Sequence, residues 1–430
     1  MADKDGWSKI QKEKFDKLQP GEINFLESIN KTQDYMAQFY EEGHQAKEEG
    51  TNKIAWITSS VPHELLYAFD IISFMPEFSG VMASFERKST EYQIAAENFG
   101  YDIEVCSVAR TNLGELLLGR SKEEGAMPAP DFLVATRHMC QTHLAWWQVY
   151  ARHFDIPLYI NELPYYQQAR NKPLPKHHEK YFVEGMKGLV RFLEEQTGKK
   201  FDIDKYREVI KLSNRSHEQW NEILEYGKVV PAPYSDWDLY VPLMAIGNWR
   251  GLQMTVDLFD HILDEIRYRV KNQIPALPNE RFRLFFNGNP SWYNFQFVPA
   301  ILAKRGGIFV ASNTNYLFKD FSNIGSGSFE EIANGLAKNY INQGLTTKID
   351  DSIQICREHK VNGAIFQDNR GCRAFAFGFY DVMQALEDRL DIPTLLYESN
   401  SADLRFWSDE EISSKIDAYL DLLEQNFENA

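Results

Sequence analysis

The chain has 430 residues, 43% of them hydrophobic and 14% aromatic, and a net charge of −16. That length exceeds one ordinary core and predicts two or three domains. An excess of 62 acidic over 46 basic residues excludes a general nucleic-acid binder, which needs a basic face. The polar start Met1-Ala2-Asp3-Lys4-Asp5 has no signal-peptide core behind it, and no apolar run is long enough to cross a membrane. A cytoplasmic protein with no membrane partner is expected.

Residues 1–50 read as an N-terminal helical segment, with Phe25, Leu26, Ile29 and Tyr35, Met36, Phe39 at helical spacing. A first α/β domain is predicted over 51–175. It opens with an apolar strand over 53–58, after which Ser59-Ser60-Val61-Pro62 leads into a helix with Pro62 in its first turn. Helices follow over 86–99 and 107–119, then a strand over 131–136, a Trp- and Tyr-rich helix over 144–153 and a short strand over 156–160. Residues 176–275 form a helical bridging region, with helices over 179–196, 203–226 and 251–272 and a break at Val229-Val230-Pro231-Ala232-Pro233. The second α/β domain, 276–430, carries strands over 281–286, 307–311, 363–366 and 394–397 and a last helix over 409–425. Strands alternating with helices predict parallel sheets covered on both faces.

The two α/β regions correspond to each other. Phe132-Leu133-Val134-Ala135-Thr136 leads to Cys140, a helix and Asp155-Ile156-Pro157. Gly363-Ala364-Ile365-Phe366-Gln367 leads to Cys372, a helix and Asp391-Ile392-Pro393. Each places a cysteine just past a strand, where open parallel sheets bind ligands.

The four cysteines are Cys106, Cys140, Cys356 and Cys372. In a reducing compartment disulfides are not expected. Cys106, Cys140 and Cys372 each precede a helix, whose partial positive charge favours the thiolate that iron–sulfur clusters and zinc require. Against this, a lone cysteine is more often a small buried hydrophobe, and no CxxC pair is present. Cys356 lies mid-helix among apolar neighbours and reads as structural. His138 and His143 flank Cys140 and offer an alternative zinc set, without the HExxH spacing of a zinc hydrolase. There is no G-x-S-x-G elbow, P-loop or G-x-G-x-x-G fingerprint, and Gly325-Ser326-Gly327 reads as a flexible turn. Trp146, Trp147, Trp292 and Tyr293 are core candidates before they are contacts for an acyl ring.

At these cysteines the sequence resembles the benzoyl-CoA reductase / 2-hydroxyacyl-CoA dehydratase family, over roughly residues 50–425. One motif runs from Gly100 through Val105-Cys106-Ser107-Val108-Ala109-Arg110-Thr111, similar to the family's GYS-x-D-x-CSYAR. Another runs from Pro130 through Cys140-Gln141-Thr142. The third is Asn369-Arg370-Gly371-Cys372-Arg373, close to NRSCK. The strand-to-helix entry from Trp56 to Ala68 fits as well. The resemblance implies two flavodoxin-like domains facing a cleft, and Cys106, Cys140 and Cys372 as ligands of a [4Fe-4S] cluster or of half a larger bridged double-cubane cluster. It implies one-electron reduction of an acyl-CoA thioester to a ketyl radical anion. It also implies a related cluster-bearing partner subunit, a separate ATP-dependent iron–sulfur activator and electrons from ferredoxin. No residue is assigned a proton-donor role.

The segment Asn369–Cys372 and the stretch from Leu395 to Glu411 look most like the larger cluster-bearing subunit of benzoyl-CoA reductases. Departures at Phe74-Met75-Pro76-Glu77-Phe78, where those subunits read YPEN, and at Ser107-Val108-Ala109-Arg110 keep the dehydratase branch open. A solute-binding protein is a third architecture of this kind, disfavoured by the missing signal peptide, and a non-catalytic partner subunit is a fourth. Substrate-binding candidates are Ser59 and Ser60 after the first strand, and Arg110, Arg137, Arg370 and Arg373 on the cysteine-bearing turns. Surface or interdomain ion pairs are the alternative role for these arginines.

Overall fold

Runs of apolar residues bounded by polar turns pair here as strands, the central ones largely buried and two edge strands, Leu158–Asn161 and Thr394–Ser399, only partly so. In the computed structural model, residues 6–429 are described apart from 8, 10, 12, 13, 15, 16, 20, 121–126, 166–171 and 320–323. The first sheet contains β1 (Ile54–Ile57), β2 (Ile72–Phe74), β3 (Phe132–Thr136) and β4 (Leu158–Asn161), all parallel, in the order β2-β1-β3-β4. The second contains β5 (Phe282–Asn287), β6 (Gly307–Ser312), β7 (Gly363–Asn369) and β8 (Thr394–Ser399), also parallel, in the order β6-β5-β7-β8. The two orders are the same when each sheet is numbered from its own first strand. The predicted correspondence between the halves is therefore a correspondence of topology, with β3 matching β7. It extends to the exits: Asp155 and Asp391 both take left-handed φ values, 52° and 56°, and end the helices that lead into β4 and β8.

Several helices position the site. They are α1 (Lys31–Glu49), α2 (His63–Ala68), α3 (Pro76–Phe85), α4 (Ser89–Phe99), α5 (Ser107–Leu117) and α6 (Gln141–Phe154). The long α7 (Lys176–Thr197), α8 (Ile203–Tyr226) and α9 (Gln253–Lys271) follow. The second domain supplies α10 (Leu345–Glu358), α11 (Arg373–Ala376), α12 (Phe379–Leu390) and α13 (Asp409–Asn429). Asp202 starts α8 by accepting from the Asp204 and Lys205 amides, a side-chain cap for groups with no intrahelical partner. Trp146, Trp147, Trp292 and Tyr293 are all buried, so their role is core packing.

Two sequence expectations need revision. Leu26 is buried, but 22–26 is not helical. Its amides have better acceptors elsewhere: Leu26 N–H donates to Asp238 at 2.8 Å, and Ser28 N–H donates to Glu265 at 2.7 Å. Side-chain acceptors from distant helices hold this stretch out of the helix. The strand β2 and the helix α3 were not predicted. Three residues are too few for any periodicity, and β2 exists because Ile54 and Trp56 offer their edge to Ile72 and Phe74. Among the described residues no helix is long and apolar enough to cross a membrane.

The domains are joined by polar contacts near the cysteine turns. Ser89 Oγ and Gln93 Nε2 both donate to the Ala402 carbonyl, at 2.7 and 3.0 Å. Arg110 reaches from α5 to Asp403 at 3.0 Å and also pairs with Glu97. Arg405 pairs with Glu97 and Asp403. Thus the loop after β8 is the docking point for α4 and α5.

Candidate active site

Each of the three candidate cysteines is the N-cap of a helix: Cys106 of α5, Cys140 of α6 and Cys372 of α11. Cys140 and Cys372 stand past the carboxyl ends of β3 and β7, the equivalent strands of the two sheets. All three are free thiols and partly exposed, whereas Cys356 is a buried core residue of α10. The structure brings the three together. Burial pushes the Cys106 thiol up to about 11, with Cys140 and Glu77 adding to the rise. Burial likewise raises Cys372, and Cys106, Cys140 and Glu77 push in the same direction. The amides of Val108 and Ala109 at Cys106, and of Phe375 at Cys372, oppose these shifts, as helix N-termini do. Thiols that repel one another's charge in this way fit a shared cationic centre.

Gly371 makes the approach possible. Its φ is +82°, and a Cβ there would lie 3.0 Å from the Glu104 carbonyl oxygen. Only glycine takes that backbone conformation without strain and clears the loop that carries Cys106. Asn369 fixes the same turn from below. Its Oδ1 accepts from Ser401 N–H at 2.9 Å, and its carbonyl accepts from Cys372 N–H at 2.9 Å.

At the end of β1, Thr58 and Thr136 are joined through their hydroxyls at 3.0 Å. Ser59 and Ser60 follow, both buried, and neither hydroxyl has a hydrogen-bond partner among the described residues. A buried hydroxyl without a partner is costly, so these two have capacity to spare for a ligand.

Sequence reasoning missed Glu77 and placed His143 in a different role. Glu77 lies in the first turn of α3 and His143 in the first turn of α6, with Oε2 and Nε2 3.4 Å apart. Burial pulls the His143 imidazolium down, but Glu77 and Cys140 outweigh it and hold the pKa at about 9. His138 is pushed the other way, to about 3, by burial and then by His143. The site therefore holds one protonated and one neutral histidine at neutral pH. Pro76-Glu77, an acid at the start of a helix, was the available signal. Among the described residues no group of three or more His, Cys, Asp or Glu side chains has the geometry to hold one metal ion. The zinc alternative at His138, Cys140 and His143 gains no support. In a cluster, each thiolate binds a different iron, so thiolates need not converge on a point.

The four arginines separate. Arg110 is fully buried, and its guanidinium is engaged by Glu97, Asp403 and the Val105 carbonyl. Arg370 grips Glu104, with Nε 3.1 Å from both carboxylate oxygens, and its guanidinium lies 4.7 Å from the Phe406 ring centre. Both tie the domains together. Arg137 is exposed and pairs with Glu162 at 3.1 Å on the rim of a pocket of about 310 Å³ that His177, His178 and Tyr181 also line. Arg373 is exposed and makes no ion pair among the described residues.

Two parallel α/β domains of one topology meet where three helix-capping thiols and an acid–histidine pair stand together, past the strand ends at which open parallel sheets bind their ligands. The family model described as 2-hydroxyglutaryl-CoA dehydratase, D-component, matches residues 58–423, and the chain belongs to that family. It is 26% identical over 386 residues to the (R)-phenyllactyl-CoA dehydratase alpha subunit of Clostridium sporogenes, covering 86% of this chain and 89% of that one. It is 26% identical over 396 residues to the (R)-2-hydroxyisocaproyl-CoA dehydratase alpha subunit of Clostridioides difficile, covering 91% and 95%. It is 23% identical over 416 residues to a subunit of the benzoyl-CoA reductase of Thauera aromatica, covering 93% and 95%. The family is one of enzymes that dehydrate or reduce acyl-CoA thioesters, and the chain is an enzyme of that class.

Proposed function

We propose that this chain is the iron–sulfur subunit of an enzyme that delivers single electrons to an acyl-CoA thioester. The observation that carries the reading is the meeting of Cys106, Cys140 and Cys372 at three helix N-termini. These three would hold the cluster, whose contribution when bound is a low-potential electron. The chain's own residues do the rest. Ser59 and Ser60 offer buried hydroxyls to a substrate oxygen at the end of β1. His143, kept protonated by Glu77, holds a proton beside the thiols. Arg137 and Arg373 are the cations free enough to meet the phosphates of coenzyme A; Arg110 and Arg370 serve the domain junction.

Benzoyl-CoA reduction is the first reading of the reaction, from the segments around Cys372 and after Leu395. Dehydration of a 2-hydroxyacyl-CoA is the second, and relatives of both kinds stand at similar identity. These relatives are all named as subunits of larger enzymes, which supports a partner chain. Phe377 and Tyr380, 82% and 73% exposed just past Cys372, give such a partner an apolar surface to cover. A separate ATP-dependent activator, fed by ferredoxin, completes the reading. Anaerobic purification with iron and sulfide analysis tests it, followed by assays on benzoyl-CoA and 2-hydroxyacyl-CoA with partner and activator present. Iron-free protein from strictly anaerobic cells would sink the cluster assignment, and turnover of one thioester alone decides the branch.

A further inference from the structure

The loops that carry Cys106 and Cys372 come from different domains and lie face to face. A Cβ at Gly371 would stand 3.0 Å from the Glu104 carbonyl oxygen, 3.4 Å from that of Val105 and 3.5 Å from the Cys106 amide nitrogen. Backbone thus touches backbone beside both cysteines. Among the described residues no backbone hydrogen bond crosses between 102–106 and 369–372. Glu104 and Val105 N–H donate to Asp102, Arg370 N–H to Ser399 and Cys372 N–H to Asn369. The polar link between the loops is Arg370 with Glu104, its Nε 3.1 Å from each carboxylate oxygen. Each partner stands two residues before its thiol. The other carboxylate near Arg370, Glu398 at 3.6 Å, belongs to its own domain. The latching side chains are open to water, 39% and 55% exposed. The rest of the junction is not. Arg110 and Asp403 are fully buried, and buried Ser89 and Gln93 hold the Ala402 carbonyl. Salt screens an exposed pair far more than a buried one. The junction therefore has a firm side and a side held by a weak, screenable contact.

We propose that Glu104 and Arg370 are a positioning pair for the thiol site, an ionic latch that sets the span between the Cys106 and Cys372 loops. Closed, it holds the two loops in register across the domains. Open, it parts them while the Arg110–Asp403 contact stays made, and the space between the thiols becomes accessible. The latch concerns the chain alone. Its role in taking up and retaining an iron–sulfur cluster rests on the cluster reading above.

E104Q, R370Q and the double variant E104Q/R370Q test it in the full-length chain, and a salt series tests it in the wild type. In iron-free protein, hydrogen exchange read by mass spectrometry should be about fivefold faster over 102–106 and 369–373 in each single variant, the worth of a well-formed exposed pair, and unchanged over 402–405. The double variant should be no faster than either single one, because the two residues act as a unit. Raising salt from about 0.1 M to about 1 M shortens the screening length from about 10 Å to about 3 Å. It should speed exchange in the wild type toward the variants and leave the variants as they were. In the anaerobic iron-loaded protein, loss of iron to a chelator should be about fivefold faster in the variants. Unchanged exchange over 102–106 in both single variants, effects that multiply in the double variant, or equal acceleration over 402–405 overturns the latch. Changed exchange with unchanged iron loss overturns its role at the cluster. Wild-type protein without iron defeats the cluster reading instead, and the exchange rates still decide the latch.

Discussion

The two α/β domains share a strand order and place a cysteine beyond the same strand, yet they surround it differently. In the first, α6 continues from Cys140 for 14 residues, and the neighbours are Glu77 and His143. In the second, α11 ends after four residues, Gly378 breaks the chain before α12, and the buried Lys348 donates to the Ala374 carbonyl of α11 at 3.4 Å. One topology thus presents a proton-holding half and a cation-holding half. The architecture sets where a thiol stands, and the residues packed behind it decide what charge it meets.

The largest test of this comparison is removal of the thiols. Cys106→Ser, Cys140→Ser and Cys372→Ser should each lose most bound iron under strict anaerobiosis, whereas Cys356→Ser should keep it. Iron retained in Cys140→Ser but lost in Cys356→Ser would break the pairing of β3 with β7 as ligand-bearing strands.

The junction comes next. Arg110→Ala removes one of the two arginines that pair with the buried Asp403 and should cost about 1.5–3 kcal/mol, read by denaturant unfolding. A change within error would mean that the halves are not held together through this network. Gly371→Ala forces a side chain into left-handed backbone facing the Glu104 carbonyl, and should cost about 1–3 kcal/mol. The same variant should shift Cys106 reactivity, because its loop is what must move.

The proton-holding half has a pH signature in the iron-free chain. The His143 pKa is raised from an ordinary 6.5 to about 9, so its pairing with Glu77 stabilises the fold fully below pH 6.5. That stabilisation is lost as pH rises through 9. His143→Gln should therefore be less stable than wild type by roughly 1–2 kcal/mol at pH 6, at the low end for a charged hydrogen bond because Glu77 is partly exposed. The two proteins should converge above pH 9. A constant gap across the range would assign His143 a packing role instead.

The smallest expected effect is at the rim. Arg137→Ala removes one exposed phosphate contact and should raise KM for the acyl-CoA about fivefold with kcat unchanged, about 1 kcal/mol. An equal drop in kcat would move Arg137 from the coenzyme A end of the substrate to its reacting end.

Much of this was legible in the chain itself. Apolar runs such as 132–136 and 363–366 identify buried parallel strands because both faces of such a sheet are covered, and the repeated Asp-Ile-Pro after each cysteine helix marked the matching exits. Cys106, Cys140 and Cys372 stood out from Cys356 because helix starts and helix middles differ in local sequence. The strand Ile72–Phe74 was invisible, since three residues carry no period and pairing with β1 alone makes it a strand. The non-helical stretch before Ser28 looked helical for the opposite reason: its apolar spacing is real, but acceptors on Asp238 and Glu265, more than 200 residues away, take its amides. Arg110 and Arg137 were indistinguishable as letters beside cysteine motifs, and only the fold buries one among carboxylates and leaves the other on a rim. Glu77 and Lys348 belong to the same category. Local sequence specifies strands, caps and turns because those depend on neighbours along the chain, whereas the charge that faces each thiol depends on helices brought from elsewhere.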